Sequence, residues 1–209
     1  MNDVLISQPA YRIETRRLIL RCYEPRDTIP LIDAVQASSE HLSEWLPWAL
    51  DEPHSIDEKL AQVRGFRAGF DLGTNFVYGV FDPATGELIG GTGLHPRNGP
   101  GGAEIGYWIA HDRCGRGYAT ELTAVLARVG IELHGLDRIE IHVHPDNEAS
   151  QRIPVKLGFQ LEGRLRRRLR VLEGPMSDKL VYSLLSDELK SSTCMDYSYE
   201  AYDAMGRPL

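Results

Sequence analysis

The sequence predicts a mixed α/β fold, and three observations carry it. Short alternating apolar stretches recur at 17–22, 75–81, 87–94, 103–110 and 138–144, as strands require. One long amphipathic segment, Tyr118 to Leu133, repeats its apolar residues at helical spacing. Turn residues join the middle strands directly, so the order reads β-α-α-β-β-β-α-β-α-β-β, with hairpins in the middle.

Taken in order, Leu18 and Leu20 alternate with Arg17, Ile19 and Arg21, which makes 17–22 the first strand. Asp27 follows the turn-like Glu24-Pro25-Arg26 and is placed to cap a helix. Ser55 and Glu58 have capping-box spacing and open a second helix to Phe70. Asp82-Pro83-Ala84-Thr85-Gly86 and Asn98-Gly99-Pro100-Gly101-Gly102 are the turns between the three middle strands. Tyr118, Leu122, Val125, Leu126 and Val129 form the apolar face of the main helix, and Gly135 ends it. Arg138 to His144 alternates around Ile139, Ile141 and Val143. A short helix, 148–157, carries Pro154 in its interior and stops at Gly158. Residues 159–169 and 178–185 read as a closing strand pair around Gly174-Pro175.

The chain has 209 residues, 42% of them apolar, enough for a core without a metal or disulfide staple. Lys and Arg number 23 against 30 Asp and Glu, a net charge of −7. That balance argues against a nucleic-acid binder or a protein of anionic membrane surfaces. Cys22, Cys114 and Cys194 are scattered and odd in number, so neither a disulfide framework nor a zinc pattern is present. The start lacks a signal-peptide pattern and no apolar run could span a bilayer, which together point to the cytoplasm.

The informative unit is the strand–loop–helix at 103–134. Gly115 and Gly117 sit between a strand and a long helix. Such a turn lets backbone N–H groups converge, and the helix N-terminus adds unpaired donors and partial positive charge. This suits a phosphate cradle, although a plain tight turn would use the same glycines. The loop is neither a Walker A sequence nor GxGxxG.

The stretch EIGYWIAHDRCGRGYATEL, followed by HPDNEASQRIPVKLGF, resembles the GNAT superfamily of N-acetyltransferases, and within it the RimJ/RimL-like branch. ETRRLILR at 14–21 and WLPW at 45–48 also resemble that branch. The likeness covers roughly 12–186 and implies a mostly antiparallel mixed sheet, splayed between its fourth and fifth strands, with helices on both faces. It implies acetyl-CoA as acetyl donor, with Cys114, Gly115, Arg116, Gly117, Tyr118 and Ala119 as the pyrophosphate loop. Cys114 stands where the pattern usually has Gln or Arg, and a glutamate of the branch has no counterpart near Leu169.

By the same resemblance, an amine attacks the thioester directly and backbone amides near Trp108, Ile109 and Ala110 hold the developing oxyanion. Glu104 is the candidate base; it shares a strand face with Gly106 and Trp108, and apolar surroundings would raise its pKa. Ser150 matches a serine that protonates the leaving thiolate, and Asn147 a CoA-contacting position. Both are also placed to cap the short helix. The acceptor is a primary amine: a protein N-terminus, or a small amine such as an aminoglycoside or polyamine. A non-catalytic CoA-binding module is the alternative from another class.

Blander readings attach to the rest. RLRRRLR at 164–170 is a solvated strand face or an acidic-ligand site. Trp45 and Trp48 are core or cleft wall, and His95 and His111 are hydrogen-bonded rather than catalytic. Cys114 at a helix N-terminus could have a lowered pKa. Residues 1–188 form the enzyme domain and 189–209 an appended tail. Met195, Tyr199 and Tyr202 share one helical face there, which predicts a short helix docked on the core or on a second subunit of a homodimer.

Overall fold

The computed structural model describes residues 9–52, 55–170 and 175–209. Two short strands open it, β1 (Arg12–Glu14) and β2 (Ile19–Cys22). Helices α1 (Thr28–Ala37), α2 (Ser39–Ser43) and α3 (Ile56–Asp71) follow. Then come β3 (Phe76–Phe81), β4 (Leu88–His95), β5 (Gly102–Ile109) and α4 (Tyr118–Arg128), which runs on into a π-helical turn, Val129–Leu133. The chain closes with β6 (Arg138–Val143), α5 (Glu148–Leu157), β7 (Gln160–Leu169), β8 (Ser177–Leu185) and β9 (Glu200–Tyr202).

The nine strands form one open sheet in the order β7-β8-β6-β5-β4-β3-β2-β1-β9. Every described pairing is antiparallel except β5 with β6. That parallel pairing lasts three registers, Gly102↔Arg138 to Glu104↔Glu140, and then stops. The expected splay is therefore present, between what are the fifth and sixth strands once β1 is counted.

The two faces of the sheet are covered differently. α4 is buried almost all round from Thr120 to Ala127 and packs with Ile105, Ile109, Ile139 and Ile141 in the main core. At roughly 1.5–3 kcal/mol per buried large aliphatic side chain, this helix anchors the sheet. On the opposite face α1–α3 build a smaller core of Tyr23, Leu31, Val35, Leu42 and Val63, against which Trp108 packs.

The predicted elements are present with local differences. The capping box forms: Ser55 Oγ accepts from the Glu58 amide, and Glu58 accepts from Ser55 N–H. Asp27 makes no side-chain cap on α1; its carboxylate takes a bidentate ion pair from Arg21 and the Glu24 amide instead. The turn expected at Gly174-Pro175 lies partly outside the described residues. The tail docks on the chain's own core, but its helix does not form. Thr193–Asp196 is a 3-10 turn, and Glu200–Tyr202 pairs antiparallel with β1. The exposed edge of β1 offers backbone partners that an isolated two-turn helix lacks, and alternation puts Ala201 inward while Glu200 faces solvent. Cys194 and Leu189 complete the seal at 0% and 3% exposure.

Candidate active site

The site is built around β5. Ala110 N–H donates to the Ile89 carbonyl (3.0 Å), so the regular β4–β5 register turns the backbone groups of Trp108, Gly106 and Glu104 toward β4 as well. Ile105 points the other way and closes the last β6 register, and beyond it the amides and carbonyls of Tyr107 and Ile109 face the gap where β6 has left. Of the three residues expected to supply amides, Ile109 alone aims one there. Tyr107, which the sequence reading did not single out, aims its backbone into the same gap.

Beyond β5 lies the glycine loop. Gly115 (φ 75°) and Gly117 (φ 80°) both occupy the left-handed region that other residues avoid. Nothing lies within 4 Å of where a Gly115 Cβ would be, so that side of the loop is open. Cys114 N–H is taken by His111, and the first helical bond of α4 runs from Glu121 N–H to Gly117 C=O. The amides of 115–120 fall between these two bonds, at the positive end of the buried helix. Cys114 itself points its sulfur back at the carbonyls of Ala110 (3.5 Å) and Ile109 (3.7 Å). Desolvation pushes its thiol pKa up and the Asp112 charge adds to this, opposite to the lowering expected at a helix N-terminus.

On the main-core side of the gap, Tyr107 reaches α5. Its hydroxyl lies 2.8 Å from Ser150 Oγ and donates to the Ser150 carbonyl at 3.3 Å. Pro154 explains that second bond. It stands four residues beyond Ser150 inside α5 and has no N–H to return to that carbonyl. The interior proline thus frees an acceptor that Tyr107 occupies. Burial pushes the Tyr107 phenol above its ordinary pKa, keeping it protonated, while the Ser150 hydrogen bond opposes this. Asn147 caps α5, its Oδ1 accepting from the Ser150 amide at 2.9 Å.

On the other face Glu104 sits at the last paired register, its side chain 12% exposed. Arg97 grips both its oxygens at 3.0 and 2.7 Å, and His142 Nδ1 lies 2.9 Å away. Burial alone would raise its pKa, but hydrogen bonds from His142 and Arg97 override this and hold the carboxyl at about 2. The expectation of a raised value is overturned: the strand neighbours visible in sequence are apolar, but the partners arrive from other segments. His142 Nε2 lies 2.8 Å from Glu140, and Lys179 Nζ 3.1 Å from His142 Nδ1, so Glu104 opens a polar line along β6. His95, across from Glu104, bonds Asn75 (2.7 Å), and burial lowers its pKa to about 4.

Two aromatic contacts span the splay. Trp48 meets Trp108 of β5 edge-on (6.2 Å), and Trp45 stacks beside His144 beyond β6 (5.4 Å). The segment after α2 thereby walls the cleft. Next to Trp45 and His144 an open groove of about 840 Å³ runs between α2 and β8, with Glu44, Arg164, Met176 and Asp178 on its sides. Two residues of the arginine-rich stretch therefore line this groove, and Arg164 is paired with Asp178 (2.7 Å).

A sheet opened beside an unpaired strand edge, with a glycine loop at a helix N-terminus at one end and a line of charged side chains at the other, is the frame of a group-transfer enzyme. Residues 17–160 match the family model described as "Acetyltransferase (GNAT) domain", and the chain belongs to that family of acyltransferases. It is similar to an uncharacterized N-acetyltransferase, YoaA, of Bacillus subtilis, with 32% identity over 83% of this chain and 96% of that one. It is similar to the [ribosomal protein uS5]-alanine N-acetyltransferase of Escherichia coli, with 26% identity over 86% of this chain and 93% of that one. Among solved structures, Mycobacterium smegmatis RimJ in complex with CoA-disulfide superposes with a TM-score of 0.78. It is 27% identical, over 89% of this chain and 92% of that chain. No helix among the described residues is long and apolar enough to cross a membrane.

Proposed function

We propose that this chain moves an acetyl group from acetyl-CoA to a primary amine, a protein N-terminal α-amine, by direct attack. The observation that carries the reading is the loss of β6 pairing after Glu104, which leaves the Tyr107 and Ile109 backbone free on the strand that leads into the glycine loop. Those groups suit the amide-rich pantetheine arm, and the amides of 115–120 suit its pyrophosphate. Acetyl-CoA, when bound, supplies an activated thioester; every other part of the chemistry falls to the chain. Tyr107 and Ile109 orient the donor, and Ile109 N–H is placed to donate to its carbonyl oxygen. The Ser150 hydroxyl, 2.8 Å from Tyr107, turns to donate a hydrogen bond to the departing sulfur, which leaves as the thiolate. Asn147 keeps its side-chain nitrogen for the donor while its oxygen caps α5.

Glu104 stays ionised across the working pH range and accepts the amine proton, with His142 and Glu140 as the line that carries it away. Such a weakly basic carboxylate suits an α-amine, with an ordinary pKa of about 7.7–8.0, better than a lysine at about 10.4. The groove beside Trp45 is open along its length, as an extended peptide requires, and relatives are named for acetylating a ribosomal-protein alanine. Residues 1–188 are taken as the catalytic unit and 189–209 as an appended segment that borders β1.

Thiol release from acetyl-CoA tests this. Peptides with free N-termini should support turnover, while N-blocked, lysine-containing peptides should not. Release only with polyamines or aminoglycosides would move the acceptor to small amines. No release with any amine, despite acetyl-CoA binding, would make the chain a CoA-binding module.

A further inference from the structure

Arg17 lies in the β1–β2 turn, 99 residues before Arg116 of the glycine loop, and touches that loop and the first turn of α4 at three residues. Its Nη1 donates to the Arg116 carbonyl at 3.0 Å. Its guanidinium lies over the Tyr118 ring, 5.1 Å from the centroid. Its Nε and Nη2 reach Glu121 Oε2 at 2.6 and 2.5 Å. Glu121 is 5% exposed in the first turn of α4, and its other oxygen accepts from Thr15 Oγ1 at 2.6 Å. Thr15 in turn accepts from the amides of Arg17 and Leu18, which fixes the turn.

We infer that Arg17 is a positioning residue for the anion cradle, setting the direction of the Gly117 amide. The inference rests on the acetyl-CoA reading above. A trans peptide is planar, so the Arg116 carbonyl and the Gly117 N–H point in opposite directions. Holding the carbonyl on the Arg17 side turns the N–H to the far side, into the cradle. The peptide needs holding because glycines at φ 75° and 80° flank Arg116, and glycine resists a peptide rotation least. The same guanidinium cancels Glu121, a buried carboxylate beneath the place where a pyrophosphate would lie. A lysine could cancel the charge, but one ammonium cannot bond Glu121 and the carbonyl in this forked geometry.

The test is acetyl-CoA binding by calorimetry and steady-state kinetics on the full chain. Arg17→Met should weaken affinity and raise the acetyl-CoA KM about tenfold or more, the loss of one charge-assisted hydrogen bond. kcat at saturating donor should change far less than KM. Because Arg17→Met also strands Glu121, Arg17→Met/Glu121→Leu should recover the melting temperature but not the affinity. Arg17→Lys should remain weak. Wild-type affinity in the double variant, or full rescue by lysine, would overturn the positioning role. Failure of the wild-type chain to bind acetyl-CoA would instead strike the acetyl-CoA reading itself.

Discussion

Two glycine loops stand at the two ends of β5, and they use the same residue for opposite purposes. At the N-terminal end Gly99 and Gly101 have φ of 86° and 69°, and the backbone around them is consumed. Gly102 N–H donates to Gly99, and the amides of Asp137 and Arg138 both donate to the Gly101 carbonyl. Arg138 also reaches the Asn98 carbonyl (2.7 Å). This loop starts the β5–β6 pairing. At the C-terminal end Gly115 and Gly117 have similar angles, but the amides that follow bond to no helical carbonyl, and the loop's carbonyl is claimed by Arg17. One loop closes the sheet; the other, on the proposed reading, opens it to a ligand. What separates joint from cradle is where the hydrogen bonds go, not the glycines.

The largest effect should come from spoiling the open loop. A Gly117→Asp side chain starts 3.6 Å from Arg17 Nη2, so its carboxylate competes with the Arg116 carbonyl and Glu121 for that guanidinium and adds negative charge beside the cradle, while Asp tolerates the left-handed backbone better than most residues. Like-charge contact costs several kcal/mol, so acetyl-CoA affinity should fall by more than about 100-fold. The thermal shift that acetyl-CoA gives by mass action should vanish. A folded variant that is still stabilised by acetyl-CoA would show that the two loops do not differ as described.

Between the loops lies Glu104, and Glu104→Gln separates binding from chemistry. Turnover should fall about 100-fold or more, with acetyl-CoA affinity nearly unchanged. The wild-type rate should rise with deprotonation of the acceptor ammonium, near pH 8 for an α-amine, because the Glu104 carboxyl, held at about 2, does not titrate there. The deficit of Glu104→Gln should stay constant across that range, because both enzymes need the neutral amine and Glu104 takes the proton released after attack. The depressed pKa has a sign for stability too. Glu104 stabilises the fold fully above its ordinary value of 4.5, and that contribution is lost as pH falls toward about 2. A rate unchanged at neutral pH would remove Glu104 from the mechanism.

The contrast also marks how much was legible in the sequence. The strand–glycine loop–helix unit was, because its parts are contiguous and the family likeness sits on the same residues. The splay was legible only through that likeness. The short strands β1 and β9 were missed because three residues carry almost no periodic signal, and partner edges decide their conformation. The site's cross-chain partners were missed for a related reason. Tyr107 meets Ser150 across 43 residues, and His142 meets Glu104 from the far side of the splay. Pro154 is legible in the sequence as an interior helix proline, but the residue that takes the carbonyl it frees, Tyr107, comes from another segment. The Glu104 pKa went the wrong way because strand alternation reports apolar neighbours on β5 and is silent on Arg97 and His142.

The smallest effect should come from the closed loop, and it sharpens the comparison most. Gly101→Ala leaves every carbonyl and amide in place but forces a side chain into the left-handed region at φ 69°. Its Cβ would lie 3.5 Å from Asp137 Cβ, an ordinary contact, so the cost is backbone strain alone. That is about 1–2 kcal/mol, or a melting temperature lower by about 2–8 °C in a chain of this length. Since the Gly101 carbonyl holds the start of β6 and not the ligand, acetyl-CoA should bind the folded variant with wild-type affinity. Gly115→Ala, made alongside, carries similar strain at φ 75° but sits in the cradle, so it should lose affinity as well as stability. Equal affinity losses in the two alanine variants would mean that the loops are mechanically coupled through β5, and the division into joint and cradle would fail.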